Sequence, residues 1–348
     1  MDDSLRAALE PRSVAIIGAS DDPNRIGGRP IHFMLRHGFR GTILPVNPNR
    51  PLVQGLPAWD SIDALPEVPD LAVIAVSGDA TMAAVEACAR RGVRVAVVIA
   101  SGFGEIGEEG RRVQQQMVAT ARAAGMRLVG PNTQGIANFG NGAIANFSTM
   151  FAELAPLDGP VAICSQSGGM SQLVYGLVRG RGTGVRYVVA TGNEADTTVA
   201  DFALACLDDP EVRLLLLYLE AIAEPARLAC AAARARERGV PIVALKSGRT
   251  AGGQRAANAH TGALGDDDRL VDAFFRRHGI WRARDPYALA LAADAYLQDW
   301  EPGGPRLVVV SNSGASCVLA ADEAQAHGLT LAELAPVTQA AVASRLPG

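Results

Sequence analysis

Aromatic residues are scarce in this chain, at 5% of 348 residues, and several other features are missing altogether. There is no run of basic residues and no basic patch interleaved with aromatics. With a formal net charge of −4, nothing points to nucleic acid as a partner. The apolar runs, such as Leu214–Leu219 and Leu307–Val310, have the length of strands and fall far short of a membrane span. The opening residues, Met1-Asp-Asp-Ser-Leu-Arg6, lack the basic-then-apolar order of a secretory signal. The five cysteines (Cys88, Cys164, Cys206, Cys230, Cys317) stand singly, with no metal-type pairing. Four of them fall in apolar helix or strand patterns, so buried thiols in a reducing, cytoplasmic setting are expected, with no metal site and no membrane partner.

What is present is apolar residues, 49% of the chain, arranged as short strands alternating with helices. Ser13–Ile17, Thr42–Val46, Leu71–Val76, Val93–Ile99 and Arg127–Gly130 read as strands. Pro30–His37, Thr81–Gly92 and Glu108–Gly125 read as helices between them. Glycine and small polar residues stand at each strand's carboxyl end: Gly18–Asn24, Asn47–Arg50, Val76–Gly78 and Ala100–Glu105. That pattern predicts an α/β fold with a parallel, doubly wound sheet and a ligand beyond those strand ends. The first turn is not a dinucleotide fingerprint. Gly18, Gly27 and Gly28 miss the G-x-G-x-x-G spacing, and Asn47-Pro-Asn-Arg50 stands where an acidic ribose partner would follow the second strand. An adenine nucleotide bearing an extra phosphate suits that polar-basic end better than NAD does. Turns made by glycine alone are the plainer alternative for any one loop.

Residues 136–158 read as a connector containing a hairpin, and a second alternating unit begins at 159. Its strands are Val161–Cys164, Val185–Ala190, Leu214–Leu219 and Pro241–Leu245. Ser165-Gln-Ser-Gly-Gly169 precedes a helix and offers hydroxyls and helix N-terminal amides, a seat for phosphate or an oxyanion. After Pro241–Leu245 comes a loop carrying Lys246, Arg249, Arg255, three glycines and His260-Thr-Gly262. A neutral imidazole in a cationic, glycine-rich loop is a usable nucleophile. A surface loop with a chance histidine is the competing reading. A linker, 299–305, leads to a third unit from Arg306, with a strand at Leu307–Val310 and a helix at Ser316–His327. About one and a half βα units are too few to bury both faces of a strand, so a longer natural chain is expected.

With these loops in view the sequence resembles the NDP-forming acyl-CoA synthetases, relatives of the succinyl-CoA synthetase alpha subunit typified by ADP-forming acetyl-CoA synthetase. The matching stretches are Pro11–Ser20, Pro45–Pro48, Gly130–Gly135, Ser165–Gly169, Gly192–Asp196, Tyr218–Glu220, Leu245–Arg249 and His260–Ala263, in the family's order along the whole chain. The resemblance implies a Rossmann-like CoA-binding domain over 1–135 and the connector 136–158. It further implies a flavodoxin-like, succinyl-CoA synthetase-like domain over 159–298, the linker 299–305 and the beginning of a third α/β domain over 306–348. It implies that His260 is a phosphohistidine oriented by Glu220, that Ser165, Ser167, Gly168 and Gly169 seat phosphate, and that Asn193 lines the acid pocket. Coenzyme A would meet Gly18, Ser20, Asn24, Asn49, Arg50, Val76, Ser77, Ala100 and Ser101.

The reaction implied joins a carboxylic acid, acetate or another, to CoA through an acyl phosphate and phospho-His260, with ATP converted to ADP and phosphate. No stretch resembles an ATP-grasp domain, so ATP, ADP and Mg2+ are expected on a beta subunit or further domain, within an oligomer. The sequence departs from the family at one place. Gly265-Asp-Asp-Asp268 puts three carboxylates after the histidine, where the family carries fewer acids. The competing functions are a CoA- or acyl-CoA-sensing module fused to a protein such as an acetyltransferase, and an NAD-dependent Rossmann protein.

Overall fold

The computed structural model of the chain describes residues 3–255, 267–298, 300 and 303–345. A short helix, α1 (Asp3–Leu9), leads into β1 (Ser13–Ile17), α2 (Arg29–Arg36), β2 (Thr42–Val46), a small hairpin of β3 (Leu52–Val53) and β4 (Leu56–Pro57), and β5 (Leu71–Ile74). Then come α3 (Asp79–Arg91), β6 (Val95–Val98), α4 (Glu108–Ala123) and β7 (Arg127–Val129). The first sheet runs β2-β1-β5-β6-β7, every pair parallel. Its strands are buried on both faces, which is why they read as unbroken apolar runs. Alternate residues serve opposite sides: Val14, Ile16, Val73 and Val97 face one core, while Ala15, Ala72, Ile74 and Val98 face another beneath α3 and α4.

Next the chain forms the hairpin β8 (Gly135–Asn138) and β9 (Ala143–Asn146), a single helical turn α5 (Met150–Glu153), β10 (Val161–Ser165), α6 (Gly168–Gly180), β11 (Val185–Ala190) and α7 (Val199–Cys206). It continues through β12 (Leu214–Leu219), α8 (Pro225–Glu237), β13 (Ile242–Lys246), a helix Asp268–His278, β14 (Trp281–Arg282) and a helix Pro286–Tyr296. The second sheet has the order β14-β13-β12-β10-β11-β8-β9. The five strands from β14 to β11 are mutually parallel in the flavodoxin-like order, and the hairpin is added antiparallel on β11. Leu214 to Leu217 on β12 are fully buried, each contributing roughly 1.5–3 kcal/mol. That makes β12 a central strand.

Three features depart from the expectation. The hairpin within residues 136–158 is part of the second sheet as well as a link to it. Helix α1 was not expected. It buries Leu5, Ala8 and Leu9 in the core that also contains Ile163 and Val188 of the second sheet, so one apolar core serves both sheets. And Lys246 is the last residue of β13, buried, instead of lying in the following loop, while 251–255 are helical. Of the cysteines, Cys88, Cys164 and Cys206 are buried, whereas Cys230 is exposed on α8 and Cys317 is half-buried. That is three buried thiols where four were expected. Among the described residues no helix is long and apolar enough to cross a membrane.

The chain divides into two compact units, Met1–Leu297 and Gln298–Gly348. In the second, β15 (Arg306–Leu307) pairs in parallel with β16 (Thr330–Leu331) beside helices Gly314–Ala326 and Pro336–Ala343. The strand expected over Leu307–Val310 is therefore confined to its start.

Candidate functional site

In an open α/β sheet a ligand lies where strand order reverses, beyond the carboxyl ends. In the first sheet that point is between β1 and β5. A cleft of about 840 Å³ opens there, lined by Gly18, Ser20, Asn24, Arg25, Asn49 and Arg50 among others. Its floor is a turn wound tightly on itself. A Cβ on Gly27 would lie 2.1 Å from the Gly18 carbonyl, and one on Gly28 would lie 2.0 Å from that of Asp22. Only glycine permits so close a backbone approach. Gln54, from the β3–β4 hairpin, fastens the turn by donating from Nε2 to the carbonyls of Ser20 (3.0 Å) and Gly28 (2.9 Å). Asn47 Nδ2 donates to the Ala19 carbonyl at 2.8 Å. Arg50 faces Asp21 at 3.6 Å with its side chain 57% exposed, so its guanidinium reaches solvent at the rim. Val76 lies apart from this cleft, in an apolar slot of about 230 Å³ with Ile17, Val46, Pro48, Ile62 and Ala84.

A second cleft, about 790 Å³, lies between the two sheets. It brings together Ser77, Ala100 and Ser101 from the first sheet with Ser167, Gly168, Gly169, Asn193 and Glu220 from the second. Ile26 lines both this cleft and the first. In the second sheet the reversal of strand order falls between β10 and β12, and the turns after those two strands supply Ser167–Gly169 and Glu220.

The two serines expected to seat phosphate are placed differently, and Ser165 is corrected to a buried turn residue. Ser165 is fully buried and does not line the cleft. Its Oγ accepts from the Ser167 amide (3.1 Å) and donates to the Ser167 carbonyl (2.6 Å). Ser167 caps α6, its Oγ accepting from Met170 N at 3.3 Å. Both hydroxyls shape the turn, and Ser167 with the first-turn positions Gly168 and Gly169 lines the cleft at the positive end of α6.

Asn193 is clasped between the sheets. Its Nδ2 donates to Glu105 Oε2 (2.5 Å) and Gln114 Oε1 (3.0 Å), and its Oδ1 accepts from Asn132 at 3.2 Å. Glu105 in turn accepts from the amides of Gly102 (2.6 Å) and Phe103 (3.2 Å). Burial works against the Glu105 charge, but these donors hold its carboxyl below its ordinary range. Both amide protons of Asn193 are thus engaged by the protein itself, while the residue lines the cleft. Asp196, three residues on, is a buried ionic latch to α4 and β7, accepting from Arg122 (2.7 Å), Arg127 (2.9 Å) and the Leu128 amide (2.8 Å).

Glu220 follows β12, and Tyr218 two residues before it has a phenol raised by burial, with Ser247 acting against the rise and the Glu220 charge with it. His260 lies outside the described residues, as do Gly265 and Asp266. Of the other two suspect carboxylates, Asp267 caps its helix by accepting from Arg269 N at 2.9 Å, and Asp268 is paired with Arg282. Both are held by their own partners. Residue-by-residue reading missed Gln166, Glu194, Glu105 and Gln114, which line the cleft. Gln166 and Glu194 stand inside motifs already singled out, and a polar side chain at a strand end was their signal. Gln114, on the face of a polar helix, had none.

A CoA-binding domain model matches residues 12–138, and a model of the succinyl-CoA ligase-like flavodoxin domain matches 158–296. The alpha subunit of an ADP-forming acetate–CoA ligase I from Pyrococcus furiosus is 36% identical over 335 residues, covering 94% of this chain and 71% of that one. The chain belongs to the ADP-forming acyl-CoA ligases. Within that family it matches the alpha subunits, and the family's members are acid–thiol ligases. A 4-hydroxybutyrate–CoA ligase of this family from Nitrosopumilus maritimus is 30% identical over 94% of this chain, which spans 47% of that relative. Among solved ligases of the family, an acetyl-coenzyme A synthetase 1 of Ca. Korarchaeum cryptofilum in complex with phosphate and ADP matches with a TM-score of 0.90 at 31% identity, over 100% of this chain and 74% of that one. These relatives are ligases, and none supports the CoA-sensing alternative.

Proposed function

We propose that this chain is the CoA-binding and phosphohistidine-bearing portion of an ADP-forming acyl-CoA synthetase: acid, CoA and ATP give acyl-CoA, ADP and phosphate. The observation that carries the reading is the inter-sheet cleft, where Ser77, Ala100 and Ser101 meet Gly168, Gly169 and Glu220. The glycine turn and Arg50 suit the phosphates of CoA, and the apolar slot beside Val76 suits its adenine. The thiol end then reaches Ala100 and Ser101. The domains are those read from the sequence, 1–135 for CoA and 159–298 for phosphoryl transfer, with 306–348 in a separate α/β unit.

In the acyl-CoA-consuming direction, a phosphate oxygen attacks the thioester carbonyl, the C–S bond breaks and CoA leaves as thiolate. An imidazole nitrogen of His260 then attacks the phosphorus of the acyl phosphate, and the P–O bond to the acyl group breaks, releasing the carboxylate. Finally ADP takes the phosphoryl group from His260. Glu220 orients the imidazole by accepting from its other nitrogen. The N-terminus of α6 stabilises the spread charge of the transferring group. ATP, ADP and Mg2+ belong to an ATP-grasp beta subunit or further domain, in an oligomeric enzyme. The cytoplasmic setting rests on the unpaired cysteines. The acid is acetate or another carboxylic acid. The test is incubation with acetyl phosphate, or with acetyl-CoA and phosphate, followed by mass spectrometry for an acid-labile phosphate. Label on His260 that disappears in His260→Ala supports the relay; no label across a panel of acyl phosphates sinks it.

A further inference from the structure

Gln166 occupies the turn after β10, and its side-chain amide is fully engaged. Oε1 accepts from the backbone amides of Glu220 (2.5 Å) and Ala221 (3.0 Å), while Nε2 donates to the Ala221 carbonyl (2.9 Å) and to Glu194 Oε2 (2.6 Å). A primary amide has two N–H donors and one oxygen with two lone pairs, so these four bonds fill its capacity. Its backbone amide also donates to the Tyr218 carbonyl at 3.1 Å. One side chain therefore closes the turn that carries Glu220.

Glu194 completes the arrangement. Its other oxygen accepts from the Thr191 hydroxyl (2.9 Å) and from the amide of Val199, the first residue of α7 (2.6 Å). The backbone of Glu194 sits at a φ of +53°, in the left-handed region that side chains seldom adopt unless the surroundings over-determine them. A carboxylate accepts only, so it admits Nε2 and excludes Oε1. Together with the Ala221 carbonyl, that sets which way the Gln166 amide points, and with it which atom meets the two amides of the Glu220 turn. Burial pushes the Glu194 carboxyl up to about 7, although Gln166, Val199 and Thr191 work in the other direction.

We propose that Gln166 and Glu194 are a positioning pair that sets the turn bearing Glu220, and through it the carboxylate that faces the phosphoryl-accepting histidine. This rests on the assignment of Glu220 and His260 proposed above. Neither residue needs to touch the transferring group. The pair fixes the backbone from which Glu220 projects, and a misplacement of about 1 Å costs up to roughly a hundredfold in rate.

Two measurements on the full chain test this: deuterium uptake at the Glu220 and Ala221 amides, and single-turnover labelling of His260 by acetyl phosphate. In Gln166→Ala and Gln166→Glu, uptake rises and the labelling rate falls by roughly ten- to a hundredfold, while the half-saturating acetyl phosphate concentration stays within about threefold. The double variant Gln166→Glu/Glu194→Gln restores a donor facing an acceptor at that contact, though not the bond to the Ala221 carbonyl, and it recovers part of both readouts relative to Gln166→Glu. Wild-type uptake in Gln166→Ala overturns the proposal. So does loosening of the amides with a wild-type labelling rate, or a double variant no better than Gln166→Glu alone. A merely structural role would lower the melting temperature and leave the labelling rate of the folded protein untouched. Absence of label on the wild-type chain would count against the phosphohistidine assignment, and amide uptake would then decide separately whether the pair sets the turn.

Discussion

The Asp196 latch makes a quantitative prediction. Its carboxylate is fully buried and binds two guanidiniums and one backbone amide of the first sheet's last helix and strand. Asp196→Ala removes the acceptor of all three bonds at once. Breaking a buried pair from one side costs about 3–5 kcal/mol, because the partner is left without its counter-charge. Here the cost falls at the lower end. The Arg122 side chain is 61% exposed and returns to water cheaply, whereas Arg127 is 24% exposed and the Leu128 amide is buried, so these two bear most of the loss. We expect about 3 kcal/mol. For a unit the size of Met1–Leu297 the melting entropy is about 0.6 kcal/mol/K, so the melting temperature falls by about 5 °C. Asp196→Asn keeps one acceptor oxygen, enough for the Arg127 and Leu128 donors, and loses the charge and the acceptor facing the exposed Arg122, for a drop of about 3 °C. Differential scanning calorimetry of the chain at pH 7 reads both. If both variants melt within about 1 °C of wild type, or Asn is the worse of the two, the latch does not stabilise the unit as argued.

Three other outcomes follow from the same geometry. Glu220→Gln slows labelling of His260 by acetyl phosphate by roughly a hundredfold while calorimetric CoA affinity is unchanged, and equal losses in both would refute its separate role. Gly28→Ala drives a methyl group against the Asp22 carbonyl, 2.0 Å from its ideal position, so CoA affinity falls by roughly tenfold or more; tight CoA binding by the variant would remove the turn from the CoA site. Glu194 governs a pH dependence: its folded carboxyl at about 7 lies above the unfolded value of about 4.3. The folded state binds more protons between those values, so the stability that Glu194 contributes is complete below the unfolded value and declines as pH rises through 7. Urea unfolding of Glu194→Gln across pH 4–8 should lack that decline, and an identical slope in the two proteins would rule out Glu194 as its source.

The strands were legible in the sequence because both faces of each are buried, which writes them as apolar runs: Val95–Val98 and Leu214–Leu219 are cases where burial and pattern coincide. The turns that line the clefts were legible for a related reason, since a strand end facing a ligand carries glycine and small polar residues. What stayed hidden has no local signature. Helix α1 is held by packing on a distant core, and its seven residues carry too little periodicity to declare it. Lys246 reads as a loop cation by charge, yet it ends β13 with its ammonium donating to the Ser247 carbonyl at 2.9 Å. Asn193 and Asp196 were read from one motif as a unit, and the structure separates them into a clasp and an ionic latch. That distinction depends on Glu105, Gln114, Arg122 and Arg127, which lie some 70 to 90 positions away in the chain.

On the function proposed above one chain serves two chemistries, and the arrangement of these contacts bears on how. The first sheet opens at β1 and β5 and the second at β10 and β12, and the inter-sheet cleft also takes in the end of β6, at Ala100 and Ser101. A thiol bound along the first sheet and a phosphoryl group seated on α6 react with a common acyl group only if the two openings are fixed with respect to each other. Asp196 ties the β11–α7 turn to β7 and α4, and Asn193 ties the same turn to Glu105, whose carboxylate pins Gly102 and Phe103 just beyond Ser101. Glu194, between them in sequence, faces the opposite way, toward Gln166 and the Glu220 turn. Four consecutive residues, Asn193 to Asp196, thus link the first-sheet side of the cleft to the Glu220 side. On the proposed assignment, a substitution in this turn should act on both ends together, whereas one at Gly28 should act on CoA binding alone.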